Sequence, residues 1–249
     1  MEKTFTVPSG YVYTIREQNG NDDDILSSKV DLDKLMNISN FISAIVVKTD
    51  ATTTGRLTPE EAFHLPVLDR SVILIQSRIL SLGEELEFDF SWDGKEQTDY
   101  SQNLNDLIFN YSETATKEMI ASKPEAVPYY PLLNKFKDIP INTTSGKSLL
   151  FDILTNDKEV EYINLPLSQQ TKNQKLIVRN LRMKVDEAFI KVNNFELFSV
   201  KDMVEINKAV KAFDPTFNAA VTISNPNNPI QKVPINIFSL DSFFYLEEI

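Results

Sequence analysis

The sequence FTVPSGYVYTIREQNGNDDDIL, residues 5–26, begins with two short apolar segments separated by Pro8-Ser9-Gly10. Apolar and polar residues alternate over residues 3–17, and proline, serine and glycine are typical turn residues. Alternation on both sides of a turn places every second side chain on one face of a strand. The pattern therefore predicts a β-hairpin at the N-terminal end.

The three aspartates that follow the hairpin allow two interpretations, a helix start or a metal site. Asn21 or Asp22 can cap a helix, and Asp23 and Asp24 then lie in its first turn, where negative charge suits the helix dipole. Calcium loops instead space their oxygen ligands at alternate positions and need a glycine and a distal glutamate. Because these carboxylates are consecutive, the sequence predicts a helix start and no metal site.

The composition is that of an acidic globular chain. Its 249 residues suffice for one large domain or two small ones, and 42% of them are hydrophobic. With 36 acidic and 25 basic residues the net charge is −11, so we expect no nucleic-acid binding by charge. The chain has no cysteine and a single histidine, His64, which excludes disulfides, thiolate zinc sites and multi-histidine metal sites. We therefore expect no cofactor.

Neither a secretory signal nor a membrane span is expected. The N-terminal residues MEKTFTVPSG contain no apolar segment after basic residues. The longest apolar runs, such as Val72–Ile75, are far shorter than the roughly 20 residues that cross a bilayer. The sequence therefore predicts a soluble intracellular protein.

Similar patterns predict helices and strands along the rest of the chain. Helices are expected at residues 31–47, after the capping box Thr58-Pro59-Glu60-Glu61, at 67–82 with Gly83 as its end, after Thr155, at 170–193 and at 200–212. Strands are expected at 86–90, on both sides of a turn within 139–154, at 220–224 and at 232–238, and Asp93-Gly94 is a hairpin turn signal.

The hairpin and helix start have a similar segment later in the chain. Ser145-Gly146 precedes an apolar strand and then Thr155-Asn-Asp-Lys-Glu-Val160, which matches the first unit when one gap is allowed. A loop-like stretch at residues 123–131 lies between the two. We therefore predict an α+β protein with two related halves, 1–122 and 123–249, each a small antiparallel β-hairpin sheet packed with helices.

The sequence contains no recognisable set of catalytic residues, so we predict that the protein is not an enzyme. Thr144-Ser-Gly-Lys-Ser148 resembles a phosphate-binding loop, but the required first glycine is Ile141, and a strand is expected where that loop opens a helix. His64 is expected to be structural. The alternative is a metal- or nucleotide-dependent enzyme that uses Asp22–Asp24 or Gly146-Lys147-Ser148.

Aromatic residues are the candidates for binding another protein. Trp92, beside the predicted hairpin turn, is either an exposed anchor for a partner or a cap on the local core. The C-terminal residues Phe243, Phe244 and Tyr245 belong to an aromatic segment that must dock on its own domain or be buried against another protein. We take these four residues as candidate partner-binding residues.

The order of several short motifs resembles the tail and baseplate assembly proteins of T4-like contractile-tailed bacteriophages. The motifs are Val7-Pro-Ser-Gly10, Thr14-Ile-Arg-Glu17, Gly20-Asn-Asp-Asp-Asp-Ile-Leu26, Asp69-Arg70, Ile79-Leu-Ser-Leu-Gly83 and Leu86-Glu-Phe-Asp-Phe90, followed later by Leu149-Leu-Phe-Asp-Ile-Leu154 and Ser242-Phe-Phe-Tyr245. The resemblance implies a non-enzymatic hub or baseplate assembly protein, or alternatively a permanent structural subunit of the virion.

The resemblance also has consequences for cofactors and partners. Relatives in that family carry a Cys-x-x-Cys pair similar to a zinc knuckle, where this chain has Ser91-Trp-Asp-Gly-Lys95, so zinc is not expected here. The implied partners are other phage tail or baseplate proteins, and binding to nucleic acid or to a membrane is not expected. Whether the protein forms an oligomer is left open. The implied location is the host cell cytoplasm during assembly, with the virion as the alternative.

Overall fold

The segment at residues 5–26 forms a hairpin that is followed directly by a helix. Strands β1 (Glu2–Thr6) and β2 (Val12–Arg16) pair antiparallel, and helix α1 (Gly20–Ser27) follows them. Gly10 in the turn has a φ of 84°, a conformation that costs glycine little because it lacks Cβ. The predicted hairpin and the predicted helix start are both confirmed.

The capping residue of α1 differs from the prediction. The N-cap is Asn19, whose side chain accepts a hydrogen bond from the N–H of Asn21. Asp22 completes a capping box from inside the helix by accepting the N–H of Asn19 at 2.8 Å. The prediction of Asn21 or Asp22 as the cap is wrong because Arg16 binds Asp22 with two hydrogen bonds of 2.7 and 2.8 Å and holds it in the first turn.

The computed structural model describes residues 1–28, 36–94, 97–107, 137–214 and 220–244. The helices after α1 are α2 (Asn37–Ile45), α3 (Pro59–Phe63), α4 (Val67–Leu82), α5 (Asn156–Ile163), α6 (Lys172–Val178), α7 (Val200–Phe213) and α8 (Asp241–Phe244). The strands after β2 are β3 (Val46–Thr49), β4 (Glu85–Ser91), β5 (Gln97–Asn103), β6 (Ile139–Asn142), β7 (Ser148–Phe151), β8 (Arg182–Val185), β9 (Ala188–Lys191), β10 (Ala220–Asn225) and β11 (Asn228–Asn236).

The strands form small antiparallel sheets, and the fold is α+β as predicted. The sheets of the described residues have the orders β1-β2-β3, β4-β5, β6-β7-β8-β9 and β10-β11. Helix α4 is buried around most of its circumference between Leu68 and Arg78. A helix that is enclosed in this way belongs to the centre of a core.

Local signals along the chain produced the predicted elements. The side chain of Thr58 caps α3 in a capping box with Glu61, and Gly83, with φ of 93°, ends α4. The hairpins β4-β5 and β6-β7, the helix after Thr155 and the helix at 200–212 are all present. These features depend on contacts between residues a few positions apart, which the sequence contains in full.

The predicted helix at 170–193 is wrong. Helix α6 ends at Val178, Asn180 adopts φ of 53°, and the chain continues as the β8-β9 hairpin, whose turn begins at Asp186, also with φ of 53°. Asparagine and aspartate tolerate this left-handed conformation, which an α-helix cannot contain. The predicted strand at 232–238 is shifted as well, since β11 begins at Asn228 and ends at Asn236.

The predicted helix at 31–47 is shorter in the described part of the chain. It spans Asn37–Ile45, and Val46 begins β3, which pairs with β2. Residues 31–35 lie outside the described residues. The β-branched pair Val46-Val47 therefore belongs to a sheet, where such side chains pack well.

The prediction of two related halves is not confirmed. A single buried core includes Tyr13 and Ile73 from before residue 122 and Phe151 and Phe243 from after it. The proposed boundary falls in residues 108–136, which lie outside the described residues. Among the helices that the structure describes, none is long and apolar enough to cross a membrane.

Candidate protein-binding site

The segment that resembles a phosphate-binding loop is the turn of the β6-β7 hairpin. Ser145 Oγ donates to Asp202 Oδ1 at 2.5 Å, and Lys147 Nζ donates to Asp202 Oδ2 at 2.8 Å. The hydrogen bonds from Lys147 and Ser145 hold the pKa of the Asp202 carboxyl well below its usual range. Because the lysine charge is matched by a carboxylate, this turn has no unpaired cation to offer a phosphate.

The same arrangement joins the first hairpin turn to α4. Ser9 donates to Asp69 through its backbone N–H at 3.0 Å and through Oγ at 2.5 Å. Both residues are almost completely buried, with exposures of 0% and 1%, so no substrate can reach them. In both places a serine of a hairpin turn donates to an aspartate of a helix and ties the turn to that helix.

The single histidine also makes a structural contact. His64 Nδ1 lies 3.2 Å from Asp157 Oδ1, and the imidazole packs edge-on against Phe63. No group of three or more potential metal ligands from histidine, cysteine, aspartate or glutamate occurs within the described ranges. Asp22 and Asp23 lie in the first turn of α1.

Trp92, the first candidate partner-binding residue, lies at the end of β4. It is partly buried, its ring packs edge-on against Phe90 with centroids 4.9 Å apart, and Nε1 donates to the Tyr100 hydroxyl at 2.7 Å. Tyr100 in turn donates to the carbonyl of Ser224 at 3.0 Å. Trp92 thus stabilises the contact between the β4-β5 and β10-β11 hairpins, and binding of a partner by this residue stays a prediction.

The aromatic C-terminal segment docks on the chain's own core. Phe243 is completely buried and packs edge-on against Phe238 and Phe244, each with centroids 4.9 Å apart. Phe244 is partly exposed and contacts Phe41 with centroids 6.2 Å apart. Tyr245 lies outside the described residues. Of the two candidate residues in this segment that the structure describes, Phe243 is buried and Phe244 is partly exposed, and binding of a partner by this segment stays a prediction.

Exposed apolar side chains instead concentrate in the last third of the described chain. One group, called here the hairpin surface, consists of Val185, Phe189 and Ile190 on the β8-β9 hairpin. All four residues of β9 are exposed, and Ile190 has an exposure of 54%. By strand alternation Val185 and Ile190 lie on one face of the hairpin and Phe189 lies on the other. Exposed apolar side chains that gather on one element mark protein contacts more often than scattered ones do.

A second group, called here the helix surface, consists of Leu197, Val200 and Val204 around the start of α7. Val200 has an exposure of 83% and Val204 of 61%. A groove of about 490 Å³ runs between α6 and α7 beside this surface and is bordered by several lysines. Arg179 and Asp214, which directly follow the two helices, line the groove and form a buried ion pair.

Sequence patterns identified neither surface. The predicted helix at 170–193 covers the residues of the hairpin surface, which the structure places on strands β8 and β9. The pattern that predicts a helix at 200–212 does not say which of its apolar side chains stay exposed. Val185, Phe189 and Ile190 favour strands, and their position on both sides of Asp186 is the signal that indicates the hairpin.

Comparisons with known proteins bring no identification. No protein family model, no curated protein and no solved structure matches this chain. Inference of function therefore rests on the surfaces described above and on the order of motifs in the sequence.

Proposed function

We propose that this protein is a non-enzymatic assembly protein of a contractile bacteriophage tail, acting in the baseplate or its hub by binding other tail proteins. Support for the phage context comes from the order of motifs in residues 5–92, which resembles T4-like tail and baseplate assembly proteins. Support for binding as the activity comes from the exposed hairpin surface. Lys147, in the segment that resembles a phosphate-binding loop, is paired with Asp202, which fits the same proposal.

The hairpin surface carries the proposal because β9 is suited to binding another strand. Within the described residues β9 pairs with β8 alone, so its other edge presents backbone N–H and C=O groups without a strand partner. Natural edge strands are usually shielded by charge, proline or a covering segment. Here Phe189 and Ile190 are consecutive residues of the edge strand, so their side chains lie on opposite faces of it. A partner strand that pairs with this edge can contact both side chains.

The experiment is a pull-down from infected cells with the purified protein as bait. We expect wild type to recover tail or baseplate proteins and the double variant Phe189→Ser, Ile190→Ser to lose them by about tenfold or more, since central apolar contacts dominate interface energies. Ile230→Ser is the matched control, because Ile230 is 92% exposed but lies on β11, outside the hairpin surface. Thermal melting of each variant verifies that it is folded.

Two outcomes contradict the proposal. Recovery of nucleic acid or metabolites without tail proteins would contradict the proposed assembly function. Equal recovery of tail proteins by wild type and the double variant would show that the hairpin surface is not the binding surface. Mass spectrometry of purified particles separates an assembly factor, which is absent from the particle, from a permanent subunit, which is present in a fixed copy number.

A further inference from the structure

One contact within the chain joins the start of α4 to the start of α5. Val67 N–H donates to the carbonyl of Leu154 at 3.0 Å, and Asn156 N–H donates to the carbonyl of Leu65 at 3.0 Å. These reciprocal bonds form an isolated antiparallel bridge between two segments that immediately precede helices. The bridge satisfies backbone donors at two helix starts at once.

Side chains reinforce this bridge on the α5 side. Arg70 donates to Glu159 Oε2 at 2.6 Å and also to the side-chain oxygen of Asn156. The cavity beside the bridge is lined by Val67 together with Leu154, Glu159 and further residues of that region. The start of α4 is therefore docked against a cleft at the start of α5.

Both helix starts in this contact have counterparts elsewhere in the chain. Helix α1 follows the β1-β2 hairpin as α5 follows the β6-β7 hairpin, and both helices have eight residues. The two turns contain Gly10 and Gly146, with φ of 84° and 86°, and each helix begins at the same sequence distance after its glycine. The start of α1 is thus built like the start of α5.

Helix α7 is the counterpart of α4. The third residue of each helix is an aspartate, Asp69 or Asp202, that accepts a hydrogen bond from the serine of its hairpin turn. The far ends correspond as well, since the N–H of Gln18 donates to Ser81 Oγ at 3.0 Å near the end of α4. The N–H of Leu154 likewise donates to Asp214 Oδ2 at 2.9 Å just after α7.

In the part of the chain that the structure describes, the contact between α4 and α5 is therefore present and the equivalent contact between α7 and α1 is not. At the start of α7, Val200 occupies the place of Val67 and is 83% exposed. At the start of α1, Asn19 and Gly20 are exposed. A cleft of about 350 Å³ lies there, lined by Gln18, Asn19, Gly20, Asp23, Ser81, Leu82 and Phe244.

That cleft corresponds to the cavity that Val67 borders inside the chain. Gln18, Asp23 and Ser81 hold the places that Leu154, Glu159 and Asp214 hold around Val67. Leu82 and Phe244 give the cleft apolar walls for an incoming valine. The described residues show no hydrogen bond between the starts of α7 and α1 of the same chain.

We propose that the start of α7 of one copy docks into the α1 cleft of a second copy, so that the protein self-associates head to tail. Val200 enters the cleft, its N–H donates to the carbonyl of Gln18, and the N–H of Gly20 donates to the carbonyl of Phe198, as the equivalent residues do within the chain. Lys201 beside Val200 and Asp23 in the cleft carry opposite charges, which favours this pairing.

This contact uses different surfaces on the two copies. A heterologous contact leaves one free α7 start and one free α1 cleft on every dimer, so copies add in one direction to give a ring or a filament. Such growth differs from a two-fold dimer, which uses the same surface twice and stops at two copies.

Two acidic substitutions block the two surfaces separately. Val200→Glu places a charge at the first position of α7, and Gly20→Glu places a charge in the cleft at the first position of α1. Acidic residues suit helix starts, and no atom lies within 4 Å of a Cβ added at Gly20, so both variants are expected to fold. Ile230→Glu is the matched control at an exposed apolar residue outside both surfaces.

Sedimentation velocity of the purified protein over a range of concentrations tests the proposal. We expect wild type and Ile230→Glu to associate beyond the dimer. Each blocked variant is expected to have an association constant about tenfold lower or to remain monomeric, because loss of about 1.4 kcal/mol of contact energy lowers affinity tenfold. A mixture of Val200→Glu and Gly20→Glu retains one intact α7 start and one intact cleft. The mixture is expected to form one-to-one dimers and nothing larger.

Three results overturn the proposal: a wild-type protein that is monomeric at all concentrations, a Val200→Glu variant that associates like wild type, or a mixture that stays monomeric. The experiment contains no tail protein, so its failure leaves the proposed function standing. A failed pull-down equally leaves self-association standing, because the hairpin surface is not part of this contact.

Discussion

Replacing Asp22 by asparagine tests whether the aspartate run serves as a helix start. The carboxylate of Asp22 is almost completely buried and accepts one hydrogen bond from the N–H of Asn19 and two from the guanidinium of Arg16. Asparagine keeps one acceptor oxygen but turns an amide N–H toward the guanidinium. The substitution therefore removes the charge and at least one charge-assisted hydrogen bond.

The expected loss in free energy of unfolding is about 2 kcal/mol, within the range of 1.5–3 kcal/mol for hydrogen bonds to charged groups. The value lies in the lower part of this range because the Arg16 side chain is 28% exposed and regains water when its partner is lost. For a chain of this size such a loss lowers the Tm by about 4–8 °C. Urea unfolding at neutral pH measures the free energy directly.

The difference between wild type and Asp22→Asn should depend on pH. Burial raises the pKa of Asp22, but the hydrogen bonds from Arg16 and Asn19 outweigh it and hold the pKa below its ordinary value of 3.8. Since the folded pKa is the lower one, the stabilisation is fully present above the unfolded value. It is lost as the pH falls through the folded pKa, so the two proteins should converge in strong acid.

Asp24→Asn is the matched control, because Asp24 is exposed in the same helix. We expect it to change the free energy of unfolding by less than about 0.5 kcal/mol. The reasoning is refuted if Asp24→Asn costs as much as Asp22→Asn. It is also refuted if Mg²⁺ or Ca²⁺ strongly stabilises wild type, as the metal interpretation requires.

Further substitutions test the buried contacts. Ser9→Ala should lower the free energy of unfolding by about 1–3 kcal/mol, because it leaves the buried carboxylate of Asp69 with fewer hydrogen bonds. Ser145→Ala, in an exposed turn, should lower it by less, and urea unfolding compares the two variants. Arg179→Met should cost about 3–5 kcal/mol by leaving Asp214 as a buried unpaired charge, and Asp214→Asn in the same background should recover part of that loss. Phe243→Ala should cost about 3–5 kcal/mol in thermal or urea unfolding if the aromatic segment belongs to the core, and a small effect would show that it does not.

The sequence alone determined the elements whose signals lie within a few residues. The turn at Gly10, the capping box at Thr58, the end of α4 at Gly83 and the helix at 200–212 all match the structure. The physical reason is that capping, turn conformation and hydrophobic period act between near neighbours. The α+β class followed from the same local patterns.

Only the tertiary structure decided which residues are buried, paired or exposed. Asp22 moved from a predicted cap to a paired position because of Arg16, and Phe243 lies in the core while Ile190 and Val200 are exposed. The β8-β9 hairpin formed where a helix was expected, because pairing with β7 and left-handed turn residues outweighed the helical pattern. Burial and pairing depend on which side chains the fold brings together. The sequence therefore indicated the helix start at residues 22–24, but only the structure showed that Asp22 is buried and paired with Arg16.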